Sequence, residues 1–191
     1  MAVKASTLSV AVRGLADALS SNITPNITVT VATPRQAYER ARTSETHILN
    51  IFPYNISPSN GLASVNQQQQ FFVRAYVLIT ACAGKQGVRQ PDVELRVLGQ
   101  AVEVLHTFPI IPVRFHVPHS GAEEGGAQDA PHPLRCTLQA FSAEEMNHIW
   151  STQGLELPYR LSVAYELAQI PIGSITEDTL TPNLTLTPNL R

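Results

Sequence analysis

The chain has 191 residues, within reach of one domain with one core. Apolar residues make up 43% and charged residues only 15%, against roughly a quarter in an ordinary soluble domain. The net charge is −2 and no Lys/Arg cluster occurs, so the electrostatic footprint of a nucleic-acid binder is missing. Either partners cover part of so weakly charged a surface, or its Thr, Asn, Gln and Ser solvate it without charge. The apolar runs fall far short of the ~20 residues that span a bilayer, so no membrane contact is expected. Met1–Ser6 carries no charged segment followed by an apolar one, so no signal peptide is visible and assembly in the cytoplasm is expected. Without secretory targeting, the glycosylation patterns at Asn22, Asn26, Asn55 and Asn183 carry no implication. Cys82 and Cys136 fall in predicted strands and read as small buried hydrophobes of a reduced compartment.

Residues 7–20 predict a helix: Leu8, Val12, Leu15 and Leu19 make one apolar face, and Ser6 or Thr7 can cap it. Ile27–Val31 is an alternating strand, and Pro34 stops it. Arg35–Ser44 is polar and reads as a helical turn or an exposed loop. His47–Phe52 predicts a second strand, and Pro53–Gly61 an irregular, turn-rich connection. Val73–Ala83 organises the chain. Val73, Ala75, Val77, Ile79 and Ala81 fall on one face, Tyr76, Leu78 and Cys82 on the other, as in a strand covered on both sides.

Gly84–Gln90 is a loop, and Pro91 suits the first turn of a helix. Leu95, Leu98, Val102 and Leu105 recur at helical spacing, and Gly99 in their midst implies a close approach to the sheet. Phe108–Pro112 ends this helix. His119–Pro133 lacks periodicity and reads as a surface loop, and Leu134–Phe141 as a strand. Ser142–Glu145 is a capping box that opens a helix to about Ser151, with Met146, Ile149 and Trp150 towards the core. In Tyr159–Leu167 the odd-numbered side chains read as inward and Arg160, Ser162 and Glu166 as outward. After Gly173, Leu-Thr-Pro-Asn-Leu occurs at 180–184 and again at 186–190, an extended tail. The residues thus define a small mixed α/β domain, 1–173, with a tail, 174–191.

No catalytic residue is expected. G-x-S-x-G, a phosphate loop and paired-Cys metal spacing are all missing. His116, His119 and His132 flank the Gly-rich loop, but no carboxylate or Cys completes a metal site, so neither metal nor cofactor is expected. Glu123 and Glu124 are adjacent and diverge. His47 and Asn50 read as structural. Two features suit binding, each beside a plainer reading: the tail, which can add a strand to an open sheet edge or be a disordered terminus, and the basic segment carrying Arg35, Arg40 and Arg42, which suits an acidic neighbouring subunit or is an ordinary charged loop.

Five segments, in order, carry a resemblance. They are Ile48-Leu-Asn-Ile-Phe-Pro-Tyr-Asn-Ile-Ser57, Val77-Leu-Ile-Thr-Ala81, Val97-Leu-Gly-Gln-Ala-Val-Glu-Val-Leu-His106 followed by Pro109, Phe141-Ser-Ala-Glu-Glu-Met-Asn-His-Ile-Trp150 and Tyr159-Arg-Leu-Ser-Val-Ala-Tyr165. The series resembles the tail-cap, or tail-terminator, family of phage-tail-like contractile injection systems. The resemblance implies an α+β fold, a mixed, mainly antiparallel sheet with about three helices packed on it. It implies a structural cap, not an enzyme, at the end distal to the baseplate. The expected partners are further copies of the chain in a six-fold ring, the sheath protein and the inner tube protein. Contacts to sheath or tube are expected from Arg160, Ser162 and Glu166 of the final strand and from Leu180, Leu184, Leu186 and Leu190 of the tail. Inter-subunit contacts are expected from Arg35, Arg40 and Arg42. The rival readings are an adaptor that tethers cargo in the same particle and a small metal-dependent enzyme built on the His-containing loop.

Overall fold

A computed structural model of the chain describes residues 6–59, 71–85, 92–114, 131–153, 157 and 159–172. The elements run α1 (Thr7–Asn22), β1 (Ile27–Val31), α2 (Pro34–Thr43), β2 (His47–Pro58), β3 (Phe71–Cys82), α3 (Val93–Thr107), β4 (Ile110–Arg114), β5 (Pro131–Gln139), α4 (Ala143–Ser151) and β6 (Ser162–Ile172). The strands form one sheet in the order β1-β2-β3-β6-β5-β4. β1 and β2 are parallel, joined through α2; every other pairing is antiparallel.

β3 is central and buried on both faces, as its continuous apolar run requires. Val73, Ala75, Val77, Ile79 and Ala81 belong to the main core with Ala11, Leu15 and Leu19 of α1 and Val97, Leu98 and Leu105 of α3. On the other face Cys82 packs with Ile48 of β2 and with Ala37 and Ala41 of α2. Thr80 is buried there and shares a 2.9 Å hydrogen bond with Ser162 of β6. α1 meets both outer strands, β1 and β4, so the sheet curls round it. The approach to β4 is close: a Cβ on Gly14 would lie 2.6 Å from Val113 Cγ2.

The helices start where their caps sit. Ser6, Thr33 and Ser142 each accept a bond from the amide three residues on, and Ser9, Gln36 and Glu145 reach back to the cap. The Thr33 cap, with Pro34 in the first turn, makes Pro34–Thr43 a true helix, so the described residues hold four helices. The Ser142 bonds hold the Glu145 carboxyl below its usual pKa. The expected face of α3 is rotated: Val93, Val97, Leu98, Ala101 and Leu105 are buried, whereas Leu95 is 60% exposed.

Proline misled the strand boundaries in two places, for one reason. β2 does not stop at Phe52 but continues to Pro58 through a bulge between Pro53 and Asn55. His47 donates to the Asn26 carbonyl and the Ile51 carbonyl accepts from Ala32, so odd-numbered residues of β2 point their backbone groups at β1. Pro53 is the next in that row, past the end of β1, so its missing N–H loses no ladder bond. Likewise, Cys136 donates to the Pro109 carbonyl, which turns the odd residues of β4 to β5 and leaves Pro112 on the open edge. Ile110–Arg114 is therefore a strand, not merely the end of a helix. β5 begins at Pro131 rather than at Leu134.

β6 starts at Ser162 and runs to Ile172, later than expected at both ends. Tyr159 and Leu161 precede it and are 57% and 46% exposed. The strand passes Leu167 because Gln169 takes a left-handed conformation (φ 65°) where the register to β3 slips, the geometry of a bulge.

Gly99 does not approach the sheet: a Cβ there meets nothing within 4 Å. A mid-helix glycine with free space costs about 0.5–1 kcal/mol against alanine. Gly99→Ala is therefore expected to raise the melting temperature by about 1–4 °C. A lower melting temperature by calorimetry would mean that the space is needed.

Candidate functional site

Chemistry is scarce among the described residues. No group of three His, Cys, Asp or Glu there has the closeness of a metal site. His116, His119, Glu123 and Glu124 lie outside the described residues. His132 stacks on Phe72 at 6.0 Å and its Nε2 lies 2.7 Å from the Gln169 carbonyl. His47 Nδ1 accepts from the Gly84 amide (3.2 Å), and buried Asn50 accepts from Thr30 Oγ1 (3.0 Å) while donating to the Ala32 carbonyl (3.0 Å). These bonds satisfy polar groups within the fold.

Burial pushes the Cys82 and Cys136 thiols up to about 11 and about 12, the Glu94 charge adding to the shift at Cys82. Thiols held neutral are poor nucleophiles. Both should resist a disulfide reagent at pH 8 in the folded protein and react promptly in urea; prompt reaction without urea would contradict this packing. Because the folded pKa values are raised above 9.0, this contribution to stability is complete below pH 9 and is lost as pH rises towards 11–12.

What the fold does present is edges and charged faces. Arg160, Ser162 and Glu166 lie apart along the chain's last described stretch, and each has partners inside the fold. Arg160 Nη1 donates to Glu94 Oε1 of α3 at 2.7 Å, and its guanidinium lies 5.1 Å from the centre of the Tyr38 ring of α2. Burial opposes that charge, but the bond and charge of Glu94, with Cys82 and Tyr38, outweigh it and hold the Arg160 pKa above its usual value. Ser162 Oγ hydrogen-bonds with Thr80 Oγ1 and lies 3.0 Å from the Arg160 carbonyl, to which it donates, and Glu166 pairs with Arg74 at 3.8 Å. β6 itself lies between β3 and β5, so over Ala164–Leu167 both its edges are taken. The sheet's outer strands are β1 and β4.

The three arginines of α2 separate in the structure. Arg35 donates twice to the Gln153 carbonyl beyond α4 (3.0 and 2.8 Å) and lies 3.9 Å from Glu39. Arg40 and Arg42 are exposed in the last turn of α2, where the helix dipole favours cations. The tail with Leu180, Leu184, Leu186 and Leu190 lies outside the described residues. A groove of about 520 Å³ between α1 and β4 is lined by Val10, Arg13, Gly14, Asp17, Ile111 and Val113, among others. Sequence patterning could not find these edges, because strand order is not periodic. The Thr33-x-x-Gln36 cap and Pro34 were the signals that could have placed Arg35, Arg40 and Arg42 on a helix.

The described residues thus form a curled six-stranded α+β sheet, flanked by helices and ending in two edges. Two solved structures share it. The sheath/tube terminator of the PVC extracellular contractile injection system, in its extended state, superposes with a TM-score of 0.60 at 15% identity, over 99% of this chain and 65% of that one. The tube-terminating cap of the anti-feeding prophage gives 0.58 at 14% identity, over 93% and 59%. The chain thus spans about three-fifths of the length of each. No curated protein matches the sequence. The model of the Pvc16 N-terminal domain matches residues 11–185, and the chain belongs to that family. The family expected from the five segments is the one found. No described helix is long and apolar enough to cross a membrane.

Proposed function

We propose that this chain is the structural cap of a contractile injection system, forming a ring on the end of the inner tube and sheath distal to the baseplate. The observation that carries this reading is the match of one family across residues 11–185 to a chain whose fold is that of two terminators. The physical features agree. A ring needs two different contact surfaces on each subunit, and the sheet offers two chemically different edges. Arg40 and Arg42, with the exposed part of Arg35, are assigned to a contact with the next subunit. The tail leucines 180, 184, 186 and 190 are assigned to contacts beyond the domain.

The test is deletion of the chain from a particle-producing cell, with sheath and tube lengths read by electron microscopy. Particles of irregular length, with frayed distal ends, are expected. Particles of normal length and intact ends would overturn the reading. In the complemented strain, Arg40→Glu with Arg42→Glu should leave the fold intact yet reproduce the defect. Normal particles from that double variant would remove the α2 surface from the account.

A further inference from the structure

The two sheet edges are not equivalent. On β4 the outward-facing residues are Ile110, Pro112 and Arg114, so the middle donor is missing. A proline so placed guards an edge against further pairing. On β1, Asn26 and Ala32 bond to β2, so Val29 and Val31 turn both N–H and C=O outwards, with no proline in the row. Val31 is also 47% exposed. β1 is an edge that can accept a strand.

The tail has the complementary pattern. From Thr179 to Leu190 the even positions are Leu180, Pro182, Leu184, Leu186, Pro188 and Leu190, and the odd positions are Thr or Asn. In an extended strand, alternate residues point both their side chains and their backbone groups in opposite directions. Both prolines therefore spoil the same lateral edge, and the Thr/Asn edge keeps every donor. The segment can pair on one side only, and it closes the edge it covers.

A parallel strand that begins at Thr179 cannot start on its own β1. Ile172 pairs with Phe71, at the end of the sheet where β3 meets β2 beyond Pro58. β1 covers only His47–Ile51 of β2, so its Ile27 end lies eleven positions from Pro58, about 36 Å along the strand. Residues 173–178 span about 20 Å at full extension. In that register the donor comes from another copy.

We propose that Thr179–Leu190 of one subunit adds as a parallel strand to the β1 edge of its neighbour, closing the ring head to tail. Parallel addition with the Thr/Asn edge inwards puts the Leu/Pro row on the face of Ile27, Val29 and Val31 and covers Val31. Antiparallel addition would set the leucines beside Thr28 and Thr30 instead. This rests on the ring reading above, and the test separates the two.

Two single prolines discriminate the edges without touching the folded domain. Thr185→Pro spoils the pairing edge; Leu186→Pro adds a third proline to the edge already spoiled. The mass of the purified chain is read first, then amide exchange of residues 27–31. The wild-type protein is expected to form a ring in which the Val29 and Val31 amides exchange on the order of tenfold more slowly than in the monomer. Thr185→Pro should return it to the 20.8 kDa monomer with that protection lost, and Leu186→Pro should keep the ring. A ring that survives Thr185→Pro with protection intact overturns strand exchange and leaves the ring standing. A wild-type chain that stays monomeric both alone and with inner tubes overturns both. Protection at β1 that appears only when sheath protein is added assigns the donor strand to the sheath and overturns the proposal.

Discussion

Gly84→Ala is expected to destabilise the protein by about 3 kcal/mol, lowering the melting temperature by about 6–12 °C. Gly84 follows β3, where the chain is laid across the connection between α2 and β2. Its amide reaches His47 Nδ1, and the next amide, of Lys85, donates to the Ser44 carbonyl at 3.0 Å. A Cβ here would overlap the Thr46 carbonyl oxygen, lie 2.8 Å from its carbon and 3.0 Å from the Ser44 oxygen. These are backbone atoms, held by neighbouring hydrogen bonds, so no rotamer change relieves them. The same substitution at Gly99 should stabilise. The pair checks the packing directly, since the two changes are chemically identical and opposite in sign. Equal effects at both sites would contradict it.

The second large effect is expected at Glu94. Its Oε1 accepts from Arg160 at 2.7 Å and from the Ala83 amide at 3.1 Å. The two charged side chains keep only 22% and 26% of their exposure. Glu94→Ala leaves a half-buried guanidinium and an amide without their acceptor, which costs about 2–4 kcal/mol. The damage reaches further than the pair. Glu94 is in the first turn of α3 on one face of the sheet, and Arg160 lies over Tyr38 of α2 on the other. Urea unfolding should show a lower midpoint with an unchanged slope. Replacing both partners, Glu94→Leu with Arg160→Met, should recover most of the loss, because the cost lies in the unpaired charge rather than in the pair itself. A double variant as unstable as Glu94→Ala would show that the bond to Ala83, not the ion pair, matters most.

Legibility in the sequence followed the physics of each element. α1 and α4 were readable because their caps and apolar faces are local signals. β3 was readable because a strand covered on both faces has no polar face to confuse it. The same burial defeated the reading of β6: with layers on both sides, Ser162 and Ala164 are as buried as Tyr165 and Leu167, so alternation says nothing about inside and outside. β1 shows the converse. Its sequence alternates cleanly, yet Thr30 is buried on Asn50 while Val31 is exposed at the sheet edge. Pro53 and Pro112 read as breakers because a proline's tolerance depends on whether a neighbour lies beside it, which only topology decides. The candidate surfaces were least legible for the same reason. Arg160 and Glu166 look like solvent-facing charges until Glu94 and Arg74, distant in sequence, are brought beside them.

The central claim is that this chain ends a growing tube. The most direct measurement is electron microscopy of inner tubes assembled from purified tube protein, with and without the purified chain. The account predicts arrested growth and a ring of this chain on one end of each tube, with none along the sides. Tubes that elongate unchanged and carry no ring at either end would contradict it.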